Sequence, residues 1–494
     1  MEVTMDKNAY LKTIDEVIAK GPYLATWSSL TNMELPSWFP KAKFGIFIHW
    51  GLYSVPAFGN EWYSKNMYIK DSWEYNHHIE TFGPHKEFGY KDFIPMFTAD
   101  KFDAAKWADL FKEAGAKYIL PVAEHHDGFQ MYQSELSHFN AAEMGPKRDV
   151  LGELKAEFEK RNMIFATSSH RAEHLWFMGH GKDFDSDIKE PLQVGDFYWP
   201  SIQQQPEDNL DVYANPYPTE EYLTDWLLRC CELIDNYRPR VLYFDWWIQH
   251  EGFKETLKKF TAYYYNRGVE WGTPVAICYK YDAMAFGSAI VDVERGKFAD
   301  TKPYYWQTDT ATAKNSWCYT TNADYKTPLE LICYLVDVVS KNGNLLLNVG
   351  PKSDGSIAEQ DVHILKEMGA WLKLNGEAIY NSKPWRYCAE GPTIESEGHF
   401  QETTNQYTSK DFRFTVNNGA IYATCLSYPE DGELLITSLC LPGGTGKKFE
   451  GILTEVSILG TDAEVSYELT KEGLKVHGPK KFTDYPVVIK IMTN

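Results

Sequence analysis

Between residue 44 and about residue 380 the chain alternates short apolar runs with longer stretches of helical character. The runs FGIFIHW (44–50), KYILPVAEHH (117–126), MIFATSSH (163–170), VLYFDWW (241–247), PVAICYK (274–280) and NLLLNVG (344–350) predict strands. Between them DAAKWADLFKEAG (103–115), LGELKAEFEKRN (151–162), TEEYLTDWLLRCCELIDNY (219–237) and TPLELICYLVDVVSKNG (327–343) predict helices. Strand alternating with helix implies a parallel sheet, and this many units favours a closed (β/α)8-like, TIM-type barrel over an open doubly wound sheet. After NGEAIYNSKPW (375–385) the pattern shortens to DFRFTV, AIYATCLSY, ELLITSLCL, TEVSILG and PVVIKIMT, separated by Gly-, Asn- and Pro-rich turns. That texture predicts a β-sandwich of roughly 110 residues. The expected organisation is an α/β barrel domain at 1–385 followed by a sandwich domain at 386–494.

One predicted strand carries an anomaly. In VLYFDWWI, alternation puts Leu242, Phe244, Trp246 and Ile248 on one apolar face and Val241, Tyr243, Asp245 and Trp247 on the other. Asp245 is a carboxylate between two aromatic rings, where an unpaired charge is costly. His49, His125, His126, His170 and Lys280 share its situation, each at or just past the C-terminal end of a predicted strand. Barrel enzymes place their chemistry there, and a purely structural barrel has no need of the coincidence.

Composition narrows the partners. The formal net charge is −20, which opposes the attraction that drives non-specific nucleic-acid or anionic-membrane binding. No run of 18 apolar residues occurs, and the start MEVTMDKNAYLKTIDEV lacks an apolar leader core, so a soluble, cytoplasmic protein is expected. The eight cysteines form no CxxC pair, which suits reduced thiols rather than a disulfide framework or thiolate metal site. Aromatics reach 15% of the chain, including 16 Trp and 32 Tyr, enough to supply the flat surfaces on which sugar rings stack, although large cores use them too.

Rival chemistries fit less well. HHD (125–127) and HRAEH (170–174) invite a metal, but in HRAEH the Glu immediately precedes the last His instead of following the first, and adjacent His125 and His126 face opposite ways along a regular strand. No metal ligands are therefore assigned. No G-x-S-x-G, G-x-G-x-x-G or P-loop pattern follows a strand, and no cofactor is expected. What remains is carboxylates, neutral donors and aromatics at a barrel mouth, which is what cleavage of a glycosidic bond requires.

The stretches KFGIFIHWGLYSVPAFGNEWY (43–63), HHDGF (125–129), GPKRDVLGEL (145–154), VLYFDWW (241–247), ERG…WQTDT…SWCY (294–319) and NGNLLLNVGPKSDGSI…NGEAIYNSKPW (342–385) resemble the retaining α-L-fucosidases of glycoside hydrolase family 29. The resemblance implies that Asp245 is the nucleophile, forming a covalent fucosyl intermediate, and that Glu294 in VDVERG is the general acid/base, with Asp292 and Glu251 as competitors. It further implies that His49, Glu61, Trp62, His125 and His126 bind the sugar, with Tyr68, His170, Tyr243, Trp247 and Lys280 lining the pocket. The implied partner is a small substrate or glycan bearing α-L-fucose; an oligomer is left open. Two positions depart from the family pattern: Glu124 stands where many members have Lys, and Lys280 stands where an Arg often lies near the nucleophile. Two alternatives stay in view, a fucose-binding protein without turnover and a retaining glycosidase of other sugar specificity.

Overall fold

The protein is described by a computed structural model over residues 5–203 and 211–494. Nine parallel strands build the first sheet: β1 Phe44–Ile48, β2 Tyr118–Glu124, β3 Ile164–Phe165, β4 Thr167–Ser169, β5 Val241–Phe244, β6 Ala276–Lys280, β7 Ile290–Glu294, β8 Trp306–Ala311 and β9 Gly343–Val349. β3 and β4 both pair with β2 and act as one interrupted strand. β1 pairs with both β9 and β2, so the sheet closes into an eight-stranded barrel. Its strands are buried on both faces, as expected of a parallel sheet wrapped by helices.

The four predicted helices form at Ala104–Glu113, Val150–Lys160, Glu220–Tyr237 and Pro328–Ser340. The last is a clear case of local sequence setting a boundary. Thr327 Oγ1 accepts from Glu330 N–H at 3.2 Å, Glu330 Oε2 accepts from Thr327 N–H at 2.6 Å, and Pro328 opens the first turn. β7 and β8 were not among the predicted strands. Their sequences, IVDVE and WQTDTA, are buried but rich in polar residues, because the barrel interior there holds a hydrogen-bond network. Gln307 Nε2 donates to Asp292 Oδ2 at 2.8 Å, Tyr118 Oη donates to Gln307 Oε1 at 2.8 Å, and Tyr243 Oη donates to Asp309 Oδ2 at 2.7 Å. Residues 281–289 and 295–305, which link β6 to β7 and β7 to β8, contain no helix, so the outer ring is open on that side.

The C-terminal region folds as two antiparallel sheets. One orders β10 Lys383–Glu390, β11 Phe412–Asn417, β12 Ala420–Cys425, β17 Val487–Thr493 and β14 Leu453–Ile458; the other orders β13 Glu433–Ile436, β16 Leu474–His477 and β15 Ser466–Leu469. Phe412, Phe414, Ile421, Leu434, Val476 and Ile489 meet in the core between them. The β11–β12 hairpin turns through Asn418-Gly419, both with positive φ (47° and 81°), the conformation a tight two-residue hairpin demands. The expected boundary at 385/386 falls within β10.

A buried ion cluster ties the sandwich to the barrel. β11 turns Phe412 and Phe414 into the sandwich core, and alternation sends Arg413 the other way. Its guanidinium pairs with Asp337 of helix Pro328–Ser340 and, at 2.7 Å, with Glu395. Lys297 reaches Glu395 at 2.6 Å and Lys341 reaches Asp337 at 2.7 Å. Three cations outnumber the two acids, and they hold the Asp337 carboxyl far below the usual carboxylate range against the opposing effect of burial.

Candidate active site

A cavity of about 420 Å³ opens at the C-terminal ends of the barrel strands. His49 follows β1, His125 and His126 follow β2, His170 follows β4, Asp245 follows β5, and Lys280 and Glu294 are the last residues of β6 and β7. All seven line the cavity, together with Glu61, Trp62 and Tyr243. Ten of the twelve expected positions are thus brought together.

Tyr68 and Trp247 are not. Tyr68 is fully buried away from the cavity, where its hydroxyl donates to Asp187 Oδ1 at 2.7 Å and accepts from Tyr90 N–H at 3.0 Å. Trp247 packs against Trp176 at 4.5 Å, and Trp246 lines the cavity in its place. The alternation rule put Trp247 beside Asp245, but β5 ends at Phe244 and the chain then turns, with Trp247 at φ 77°. The same reason corrects the histidines: β2 ends at Glu124, so His125 and His126 both reach the cavity with ring centroids 4.4 Å apart. Of the competitors for the acid/base position, Asp292 lies inside the barrel and Glu251 is exposed on the turn Glu251–Phe253; neither lines the cavity.

Asp245 is buried and every contact it makes favours its anion. Oδ1 accepts from Lys280 Nζ at 2.6 Å; Oδ2 lies 2.9 Å from His170 Nδ1 and 3.2 Å from His126 Nε2. Burial pushes the carboxyl upward, but Lys280, His170 and His126 outweigh it and hold the group well below the usual range. Glu294 is set the other way. Burial, with Asp245 and Asp309 nearby, pushes its carboxyl up to about 7 although Lys280 Nζ touches Oε2 at 2.5 Å. The two contacts share one nitrogen, so Asp245 Oδ1 and Glu294 Oε2 stand at most 5.1 Å apart, the sum of 2.6 and 2.5 Å.

Lys280 itself is held protonated. Burial disfavours the charge, but Asp245, Glu294, Asp309 and Asp292 surround it and raise its pKa well above the ordinary value. The expectation that a Lys stands where an Arg is common therefore has a geometric answer: a single ammonium spans both carboxyls as a point charge. His126 is likewise cationic. Burial opposes the charge, yet Glu173, 3.3 Å from Nε2, and Asp245 raise it to about 9. Glu173 lies in the HRAEH stretch, and its carboxyl complements the imidazolium.

The other three imidazoles are neutral. His170 is lowered by burial to about 4, its Nε2 tied to Ser168 Oγ at 2.9 Å. His49 and His125 are pushed well below the ordinary value, by burial first and then by neighbouring histidines. His49 Nδ1 bonds Asn348 Oδ1 at 2.7 Å, while His125 Nδ1 has no partner among the described residues. One donor atom from each of His49, His125 and His170 falls within 4.8 Å of the others, a spacing a metal could exploit. With His170 already bonded through both nitrogens, these rings are better fitted to sugar hydroxyls. Glu124 poses no field problem: Arg171 donates to it at 2.9 Å and Arg229 at 3.2 Å, with Asp225 completing a charge-balanced buried group.

Sequence reasoning missed Phe47, Tyr281, Asp309, Trp317 and Phe400 as cavity walls. Trp317 stacks on His49 at 5.3 Å, and its backbone N–H donates to Glu61 Oε2 at 3.0 Å. It sits in SWCY, one of the stretches that carry the family resemblance, so a signal existed. Phe400 had none, since it comes from beyond the barrel domain.

A closed barrel that converges an ionised and a protonated carboxyl beneath aromatic and imidazole donors has the fold and site of a glycoside hydrolase. Comparison with known proteins gives the particular kind. The family described as Alpha-L-fucosidase matches residues 11–377, and the Alpha-L-fucosidase C-terminal domain matches residues 404–491. The chain is 32% identical over 472 residues to plasma alpha-L-fucosidase of Homo sapiens, covering 92% of this chain and 88% of that one. It is 33% identical over 460 residues to tissue alpha-L-fucosidase of Rattus norvegicus, covering 91% and 87%. The solved alpha-fucosidase of Thermotoga maritima, in complex with a mechanism-based inhibitor, superposes with a TM-score of 0.75 at 29% identity, covering 95% of this chain and 100% of that one. The chain belongs to the α-L-fucosidase family of glycoside hydrolases.

Proposed function

We propose that this enzyme releases terminal α-L-fucose from fucosylated glycans by a retaining double displacement. Asp245 attacks the anomeric carbon while Glu294 gives its proton to the glycosidic oxygen; the C1–O bond breaks and a fucosyl ester forms on Asp245. Glu294, now a carboxylate, takes a proton from water as the water oxygen attacks C1, the ester breaks, and fucose leaves with its configuration kept. The observation that carries this reading is the pair of oppositely poised carboxyls joined through Lys280 Nζ, with Asp245 Oδ1 and Glu294 Oε2 no more than 5.1 Å apart. That spacing is closer to that of retaining pairs, about 5–5.5 Å, than to the about 6.5–9.5 Å of inverting pairs.

The remaining residues divide the substrate between them. His49, His125, His126, His170 and Glu61 bond the ring hydroxyls, and Trp62, Tyr243 and Trp317 give an apolar wall for the methyl group that fucose carries in place of a hydroxymethyl. A misplaced hydroxyl would leave buried polar groups unpaired, which costs more than a lost contact. No cofactor enters either step. The eight cysteines are free and buried, which supports work in a reducing compartment such as the cytoplasm. The test is a panel of 4-nitrophenyl α-L-fucoside, β-D-galactoside and α-D-glucoside, with the anomer first released followed by proton NMR. Preference for the fucoside and first release of α-L-fucose are expected; preference for another sugar, or release of the β-anomer, overturns the reading.

A further inference from the structure

A second cavity, of about 900 Å³, runs between helix Pro328–Ser340 of the barrel and the linker and sandwich residues 400–407, 426–428, Lys481 and Asp484. Its walls include Arg295, Lys326, Leu329, Glu402, Gln406 and Tyr428, and Phe400 lines both this cleft and the catalytic cavity. We infer that the cleft receives the glycan portion of the leaving group, a neutral hexose-based oligosaccharide whose first sugar rests against Phe400. The inference builds on the fucosidase reading above.

Position comes first. The group that Glu294 protonates is the oxygen of the leaving sugar, so that sugar must lie beside Glu294. The chain there is laced to the segment carrying Phe400: Glu294 N–H donates to His399 Nδ1 at 3.1 Å, Phe400 N–H donates to Glu294 O at 2.8 Å, and Gly398 N–H donates to Lys297 O at 3.0 Å. The sandwich-side linker is thereby the wall next to the acid/base.

The chemistry of that wall agrees. Phe400 is 51% exposed, and its ring is nearly parallel to Trp246, at 11° with centroids 6.4 Å apart. Trp246 meets Tyr281 at 4.8 Å, and Tyr281 stacks on His399 at 3.8 Å. Flat rings of this kind meet the C–H face of a hexose. Phe400 also holds φ 56°, a left-handed backbone that is strained for a bulky residue, and such strain concentrates at binding sites. Beyond it the cations are already engaged: Lys326 with Glu402 at 2.7 Å, Lys481 with Asp484 at 2.9 Å, Lys297 with Glu395 at 2.6 Å. An anionic glycan gains little there. Glu402 Oε1, by contrast, is buried with no hydrogen-bond partner among the described residues, an acceptor suited to a hydroxyl.

The experiment uses the full chain with 4-nitrophenyl α-L-fucoside, 2′-fucosyllactose, 3-fucosyllactose and lactose, the product left by either trisaccharide. Phe400→Ala should lower kcat/KM for the better trisaccharide, relative to the aryl fucoside, by about tenfold. Saturation-transfer NMR should detect lactose on the wild type and lose it in Phe400→Ala, while Phe400→Trp keeps both properties. Equal losses on aryl and trisaccharide substrates, or no lactose binding to the wild type, overturn the inference. A wild type that hydrolyses neither class of fucoside would sink the fucosidase reading and leave the lactose measurement to decide the cleft alone.

Discussion

Replacing Lys280 with Met keeps the length of the side chain and removes the one cation shared by both carboxyls. Nζ lies 2.6 Å from Asp245 and 2.5 Å from Glu294, in a site from which water is largely excluded. At an effective dielectric constant of ~20, opposite charges at such range attract by about 6 kcal/mol. At about 1.4 kcal/mol per pH unit, full loss is worth roughly 4–5 units, and partial rehydration leaves at least ~1 unit. The sign is the same for both groups: a carboxyl deprived of its cation binds its proton more tightly. Glu294, which the proposed mechanism requires protonated, now holds its proton above its present value of about 7, so the alkaline limb of kcat/KM moves upward. Asp245, which the same mechanism requires ionised, loses the main influence holding it low, so the acid limb moves upward as well. The assay is the pH profile of kcat/KM on 4-nitrophenyl α-L-fucoside, with Lys280→Arg as a partner that keeps the charge and should keep the limbs. Lys280→Met limbs that coincide with those of the wild type would refute the electrostatic argument, even if the rate itself fell.

Three further outcomes follow from the same geometry. Glu294→Ala should slow hydrolysis of fucosyl oligosaccharides by about 10²–10⁴-fold, and slow activated aryl fucosides less because their leaving groups need little protonation; equal losses would move the acid/base elsewhere. Arg413→Met should cost about 3–5 kcal/mol in thermal or denaturant unfolding, since Asp337 and Glu395 would keep their charges in a buried site with one partner gone; an unchanged midpoint would show that the cluster does not secure the domain contact. Tyr68→Phe should leave KM for the aryl fucoside within about twofold while destabilising the fold by about 1–3 kcal/mol through the lost bonds to Asp187 and Tyr90, and a large KM effect would return Tyr68 to the binding site.

What could be read from the sequence followed the physics of each signal. Apolar runs such as ILPVA and NLLLNV mark buried parallel strands, and the barrel was legible from them. β7 and β8 were not, because Gln307 bonds Asp292, Tyr243 bonds Asp309 and Lys280 bonds Glu294 in the barrel interior, and these polar residues erase the apolar signature. Asp245 was legible as a misfit between aromatic rings, and the histidines as a coincidence at strand ends. Their orientation was not legible wherever a strand stops short. Trp246 and Trp247 exchange places because alternation ends with β5, and His125 and His126 converge because it ends with β2. Charge state was hidden too: Glu173 and Lys280 set His126, Asp245 and Glu294 through contacts that no spacing announces. Phe400 lies 106 positions beyond Glu294 and meets it only because a linker fills the gap left by missing helices. A long-range contact of that kind leaves no local pattern to find.

The central claim is that Asp245 carries the sugar between the two steps. Incubation with 2-deoxy-2-fluoro-L-fucosyl fluoride, followed by peptic digestion and mass spectrometry, tests it directly. The account predicts one fluorofucosyl group per chain, on the peptide spanning 241–247 and at Asp245. A label on another carboxylate, or turnover of the reagent with inversion and no label at all, would contradict it.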